Sequence, residues 1–165
     1  MKVRIDITGT APLLMHNIDL ADPLNAIVRE MKLISKKRVK TDDDLLELAR
    51  LEFLGGLYIA EPIGPYVKGL AVEKSFVEGA RVTKQGKQIE RGLFVVDNEI
   101  PLEFKGPRTA AGLWADENFH DRQAVRVGQS RVHRMRPIFR EWGLSAFAEV
   151  DVALLNVDTL QAIVS

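Results

Sequence analysis

A chain of 165 residues, 46% of them hydrophobic, is long enough to bury a core of its own and short enough to predict one domain. It contains no cysteine, which excludes disulfides, thiolate metal sites and a cysteine nucleophile. The 23 Lys and Arg residues balance 23 Asp and Glu to a formal net charge of 0, so any polyanion must be held by a local patch rather than by the whole surface.

The alternation of Val3, Ile5 and Ile7 with Lys2, Arg4, Asp6 and Thr8 predicts a half-buried opening strand, ended by Gly9 and Pro12. Because that run begins at Lys2, no signal peptide is expected. No apolar stretch approaches the ~20 residues that cross a bilayer, so a cytoplasmic protein without a membrane partner is expected. Asp22 stands at an N-cap position, Pro23 at the first helical position, and Leu24, Ile27, Val28, Met31 and Ile34 recur at helical spacing. After the basic stretch Lys36, Lys37, Arg38 and Lys40, Thr41 opens a Thr-x-x-Asp capping pattern for a second helix that ends near Gly55-Gly56, with Leu45, Leu48, Ala49 and Phe53 on its buried face.

Leu57 to Ala60 predicts a short strand, Gly64-Pro65 a turn, and Leu70 to Ala80 a helix. The polar, glycine-punctuated residues 81–92, with Lys84, Lys87 and Arg91, predict a mobile basic loop. Leu93 to Val96 and Ile100 to Phe104 read as two strands around Asp97-Asn98. Val125 to Val127, Arg131 to Phe139 and Trp142 to Val152 follow as strands, the last placing Trp142, Leu144, Ala146, Ala148, Val150 and Val152 on one face. Asp158 is expected to cap a terminal helix. No internal repeat is present.

Between Asp121 and Glu141 the chain carries Arg122, Arg126, Arg131, Arg134, Arg136 and Arg140, together with His133 and no acidic residue. That is a local charge of +6, leaving −6 for the rest. Arginine presents a planar, permanently charged fork that matches phosphate oxygens in pairs, so nucleic acid is the expected ligand. The competing explanation is a strand pair whose arginine stems lie over apolar surface and whose heads pair with Asp and Glu elsewhere. Lys36, Lys37, Arg38, Lys84, Lys87 and Arg91 are expected to extend the basic surface. Phe139 is expected to stack on a base, whereas Trp142 is expected in the core.

Two segments carry a family resemblance. Ile5-Asp6-Ile7-Thr8-Gly9-Thr10-Ala11-Pro12-Leu13-Leu14-Met15-His16-Asn17 resembles the first strand and loop of the RAMP superfamily, the RNA-recognition-motif-like proteins of CRISPR effectors. Pro65-Tyr66-Val67-Lys68-Gly69, followed by a helix, resembles that superfamily's entry to the helix after its early strands. The chain is also similar to a group of small bacteriophage proteins that share the Pro12 to Asn17 opening and the segment Arg136-Pro137-Ile138-Phe139-Arg140-Glu141-Trp142. The resemblance implies a ferredoxin-like fold that grips a nucleic-acid backbone, with protomers side by side along it. The superfamily's glycine-rich C-terminal loop has no counterpart, since the last glycine is Gly143, and the small hydroxyl residues of the helix-entry motif are missing after Gly69.

His16 follows the first strand in a loop comparable to the one where RAMP endonucleases place a general acid–base histidine, although a loop hydrogen bond or core-edge position is favoured for it. Asp116, Glu117, His120 and Asp121 have metal-like spacing if helical, but an acidic turn pairing with Arg122 explains them without a metal. No phosphate-binding loop or dinucleotide fingerprint occurs, so no cofactor is expected. The combined expectation is an α+β, ferredoxin-like domain over residues 1–165 with an antiparallel sheet, a helical insertion at about 22–56 and the mobile loop at about 81–92. It is expected to bind single-stranded nucleic acid, RNA or DNA, as a homo-oligomer or filament along the strand, and to be a binding protein rather than an enzyme. The alternatives are a metal-independent ribonuclease using His16 and a bacteriophage module that docks an acidic protein.

Overall fold

The computed structural model describes residues 1–155, apart from the side chains of Val127 and Ser130; the helix expected after Asp158 lies outside the described residues. In chain order the elements are β1 (Lys2–Thr8), β2 (Leu13–Leu14), a 3₁₀ turn (Ile18–Ala21), α1 (Ala26–Ser35), α2 (Asp42–Gly56), β3 (Ile59–Ala60), β4 (Gly64–Lys68), α3 (Gly69–Arg81), α4 (Gly86–Gly92), β5 (Leu93–Val95), β6 (Glu99–Pro101), α5 (Ala110–Ala115), a second 3₁₀ turn (Glu117–Phe119), β7 (His120–Val127), β8 (Ser130–Phe139) and β9 (Gly143–Val150). The fold is mixed α/β with small antiparallel sheets. No helix among the described residues is long and apolar enough to cross a membrane. Contacts gather the chain into two compact units, where the length predicts one domain. Each unit is assembled from segments distant in sequence, so no linker marks the division.

The first unit comprises Met1–Thr8, Tyr66–Glu103 and residues 143–155. Its sheet runs β1-β9-β5, all antiparallel. In β9 the buried Leu144, Ala146, Ala148 and Val150 alternate with Ser145, Phe147 and Glu149, as the period-two pattern predicts. The expected stripe is shorter at its end, because Val152 follows the strand and is 61% exposed. The two strands expected around Asp97-Asn98 do not pair with each other: β5 pairs with β9, and β6 pairs with Tyr66–Lys68. Gly69 is where the chain passes too close for a side chain, since a Cβ there would lie 1.9 Å from the Asp97 carbonyl oxygen.

Residues 81–92 form a turn and a helix where a loop is expected. Lys84 takes a positive φ of 63°, and from Gly86 the chain forms α4, whose Ile89 is fully buried. One apolar side chain within a seven-residue polar helix gives no periodicity to read, yet it suffices to pin the segment to the core.

The second unit comprises Gly9–Pro65 and Phe104–Trp142. β7 and β8 form a long hairpin that turns at Gly128, φ +61°, and β2 pairs with the far end of β8. α1 and α2 pack together, and α2 packs on β8. The first helix starts later than expected: Asp22 accepts from the Leu24 N–H (2.8 Å) in a local turn, and Asn25 is the N-cap, accepting from Ile27 and Val28. The capping box of α2 forms as expected, with Thr41 and Asp44 each accepting the other's backbone N–H at 3.2 and 3.1 Å. Its buried face is rotated from the expected one, with Leu51, Glu52, Phe53 and Gly56 inward and Leu45 48% exposed. Gly64 begins β4 rather than a turn; the turn is Glu61 to Ile63, with a cis Glu61–Pro62 bond.

Candidate nucleic-acid interface

The hairpin register decides what the arginine cluster can do. Residues opposite each other in an antiparallel pair share a face, and faces alternate along each strand. Arg126 lies opposite Arg131, Ala124 opposite His133 and Arg122 opposite Met135, so three guanidiniums and one imidazole occupy one face. The other face carries Asp121 opposite Arg136 and Gln123 opposite Arg134. A segment that reads as one patch of +6 is therefore two surfaces of different character.

Arg134 belongs to the fold. Its Nη1 donates to Oε1 of Glu52, whose side chain is only 9% exposed, and the second Glu52 oxygen accepts the Met135 backbone N–H at 3.1 Å. Glu52 so satisfies an N–H on the edge of β8 and fixes the guanidinium beside it. Arg140 donates to the Asn118 carbonyl. Arg126 is oriented by donation from Nε to the Gly128 carbonyl at 3.0 Å. Among the described residues, no carboxylate forms an ion pair with Arg122, Arg126, Arg131 or Arg136. Like charges opposite one another oppose strand pairing, by something on the order of 0.2–1 kcal/mol. The Arg126–Arg131 pair therefore stands uncompensated on an exposed surface.

The remaining expected contacts scatter. Lys36 and Arg38 are exposed between α1 and α2, while Lys37 is held 2.5 Å from Asp44. That contact, followed by the Thr41 backbone N–H, holds the Asp44 carboxyl below its usual range. Lys40, not expected at the site, lines a groove of about 280 Å³ with Arg122 and His133. Lys84, Lys87 and Arg91 are exposed and belong to the first unit, while the hairpin belongs to the second.

Phe139 cannot stack on a base: it is 1% exposed, packed against Phe104 and Phe119 with ring centroids at 4.8 and 5.6 Å. Phe139 ends β8 in a run of three buried residues, and exposure resumes at Arg140 just beyond the strand. Trp142 is half-buried, lies over Gly9 and donates from Nε1 to the Ala11 carbonyl at 2.9 Å. The acidic cluster does not form the α-helical turn on which its metal-like spacing depends. Asp116 caps the second 3₁₀ turn, His120 begins β7, and its ring lies against Trp114 (4.6 Å) and Phe53 (4.9 Å). Among the described residues no group of three His, Asp or Glu is placed to hold a metal ion.

His16 is exposed and lines an open cleft of about 560 Å³ together with Lys32, Arg126, Arg134 and Arg136. Sequence reasoning missed Glu52, which borders both grooves. Its signal is present in the chain, as the one charge in the apolar run Leu51 to Leu57.

Fold and site together define a mixed α/β chain that presents uncompensated guanidiniums on a β-hairpin. Comparison with known proteins returned no matching family model, no matching curated protein and no matching solved structure.

Proposed function

We propose that this chain binds single-stranded nucleic acid, RNA or DNA, through phosphate contacts made by the hairpin face that carries Arg122, Arg126, Arg131 and His133, with little sequence preference. The observation that carries this reading is Arg126 directly opposite Arg131, with neither paired to a carboxylate among the described residues. An anion between them turns a repulsive pair into charge-assisted hydrogen bonds, and a phosphodiester chain supplies such anions at regular spacing. In this reading the fold is ferredoxin-like and of RAMP type, protomers line up along the strand, and the setting is bacteriophage recombination, replication or anti-defence in the cytoplasm. The antiparallel β1-β9-β5 sheet with α3 and α4, and the two quoted segments, support the fold in this reading.

Titration of labelled single-stranded RNA, single-stranded DNA, duplex and heparin across salt tests it. Single strands should bind, with affinity falling linearly in log–log form as salt rises. No binding at low salt would refute the reading, and binding of heparin and acidic protein alone would favour the protein-docking alternative.

One observation favours a second reading, a metal-independent ribonuclease: His16 shares its cleft with Arg126, Arg134 and Arg136. There His16 takes the proton of a ribose 2′-hydroxyl as that oxygen attacks phosphorus. The P–O5′ bond breaks, the 5′ oxygen takes a proton from water, and the arginines balance the charge on the phosphorane. A 2′,3′-cyclic phosphate product, formed by wild type and absent with His16→Ala, would put this reading first.

A further inference from the structure

The cleft between α1 and the hairpin has a composition that backbone phosphate binding does not require. Leu20, Val28, Met31, Val125 and Met135 form an apolar part of its lining, and Lys32, Arg126, Arg134 and Arg136 a cationic part. The one carboxylate of the lining, Glu52, is already engaged by Arg134 and by the Met135 N–H, so the cleft keeps a surplus of positive charge. A bare inorganic anion has no use for the apolar part, and an apolar peptide segment is not matched to four cations. A ligand that joins a planar, weakly polar ring system to an anion matches both. The cleft volume, about 560 Å³, falls within the roughly 300–1,000 Å³ of small-ligand sites.

We infer that this cleft receives one unstacked base of the bound strand, with its phosphate on Arg126 and Arg136; the inference rests on the nucleic-acid reading above. Met31 and Met135 supply polarizable sulfur against the ring, and a guanidinium plane stacks on a base as readily as an aromatic side chain does. Glu52 accepts one hydrogen bond on each oxygen, which leaves lone pairs for an amino or imino group of the base edge. Arg126 belongs to both surfaces, on the phosphate-binding face by register and in the cleft by position, so one strand can run from one to the other. A duplex keeps its bases stacked and paired, which makes the cleft a reason for single-strand preference.

Two strands of equal length and phosphate count, one ordinary and one abasic, separate this inference from the reading beneath it. Wild type should bind the ordinary strand about tenfold more tightly at the same salt, the scale of one stacked base. Ala21→Leu combined with Ser35→Leu narrows the cleft from two exposed positions of its lining without touching a cation. This variant should bind both strands with the abasic affinity and the wild-type salt slope, and its Tm is measured alongside to show that it folds. Equal binding of the two strands by wild type, with salt dependence intact, would overturn the base cleft alone. A variant that folds and keeps the tenfold preference would overturn the location. Failure of both strands to bind at low salt would overturn the nucleic-acid reading itself.

Discussion

Arg134 and Glu52 form a contact in which the carboxylate is about nine-tenths buried and the guanidinium is 42% exposed. The asymmetry sets an order of costs. Arg134→Gln leaves a buried charge with only the Met135 N–H, a loss of about 1–3 kcal/mol, whereas Glu52→Gln leaves a guanidinium that can turn to water. Urea unfolding should therefore find Arg134→Gln the more destabilised of the two, and adding Glu52→Gln to it should recover part of the loss. A double variant worse than Arg134→Gln alone would show that the pair is not coupled in this way.

The opposite sign is expected on the other face of the hairpin. Replacing Arg122, Arg126 and Arg131 together by glutamine removes a repulsive cross-strand pair and, among the described residues, no ion pair, so Tm should hold or rise slightly. Binding of single strands should weaken uniformly across sequences, with the salt slope reduced by about 0.7 for each phosphate that is no longer neutralised. Because Arg134 is a structural residue, a variant that includes it would confuse unfolding with weakened binding. Unchanged affinity and slope in the folded triple variant would end the phosphate-face reading.

What the sequence made legible was periodicity and local capping. The alternation in β1 and β9 and the Thr41–Asp44 box are local, and each survives in the structure. What it hid depends on partners far along the chain. The six arginines look equivalent until the β7–β8 register separates them, and Phe139 looks available until Phe104 and Phe119 close over it. β7 is legible only at Val125 to Val127, because His120 to Gln123 is polar and is held as a strand by its pairing with β8. His16 could be placed in a loop from the sequence, but its shared cleft with Arg126, Arg134 and Arg136 is a product of tertiary packing.

The N-terminus of α2 should be acid-sensitive. Lys37 and the Thr41 N–H hold the Asp44 carboxyl below its ordinary value in the folded state. The folded pKa is thus the lower one, so the stabilisation is fully present above the unfolded aspartate value and is lost as pH falls through the folded value. Amide exchange at Asp44 and Leu45, followed as pH is lowered through the carboxylate range and corrected for the intrinsic rate, should show protection declining there. The decline should vanish in Asp44→Asn. Protection that is flat with pH in wild type would show that the cap does not depend on the charge.

Assembly along a strand needs surfaces beyond the hairpin, and Lys84, Lys87 and Arg91 are the exposed cations of the first unit expected to supply one. Deleting residues 82–90 cannot test this, since it removes the buried Ile89, whose truncation alone should cost about 2–5 kcal/mol. Replacing Lys84, Lys87 and Arg91 by serine leaves Ile89 in place; Lys84 sits at φ 63°, so the melting curve of the variant must be compared with wild type. Light scattering on single strands of increasing length should show wild-type complexes that grow with strand length. The serine variant should saturate at fewer protomers per strand while keeping the affinity for a strand that holds one protomer. Wild type that stays at one protomer on every length would refute assembly and leave the phosphate face intact, because that face follows from the hairpin register alone. Multimers of fixed size formed without nucleic acid would point instead to a closed oligomer, in which the strand plays no part in bringing protomers together.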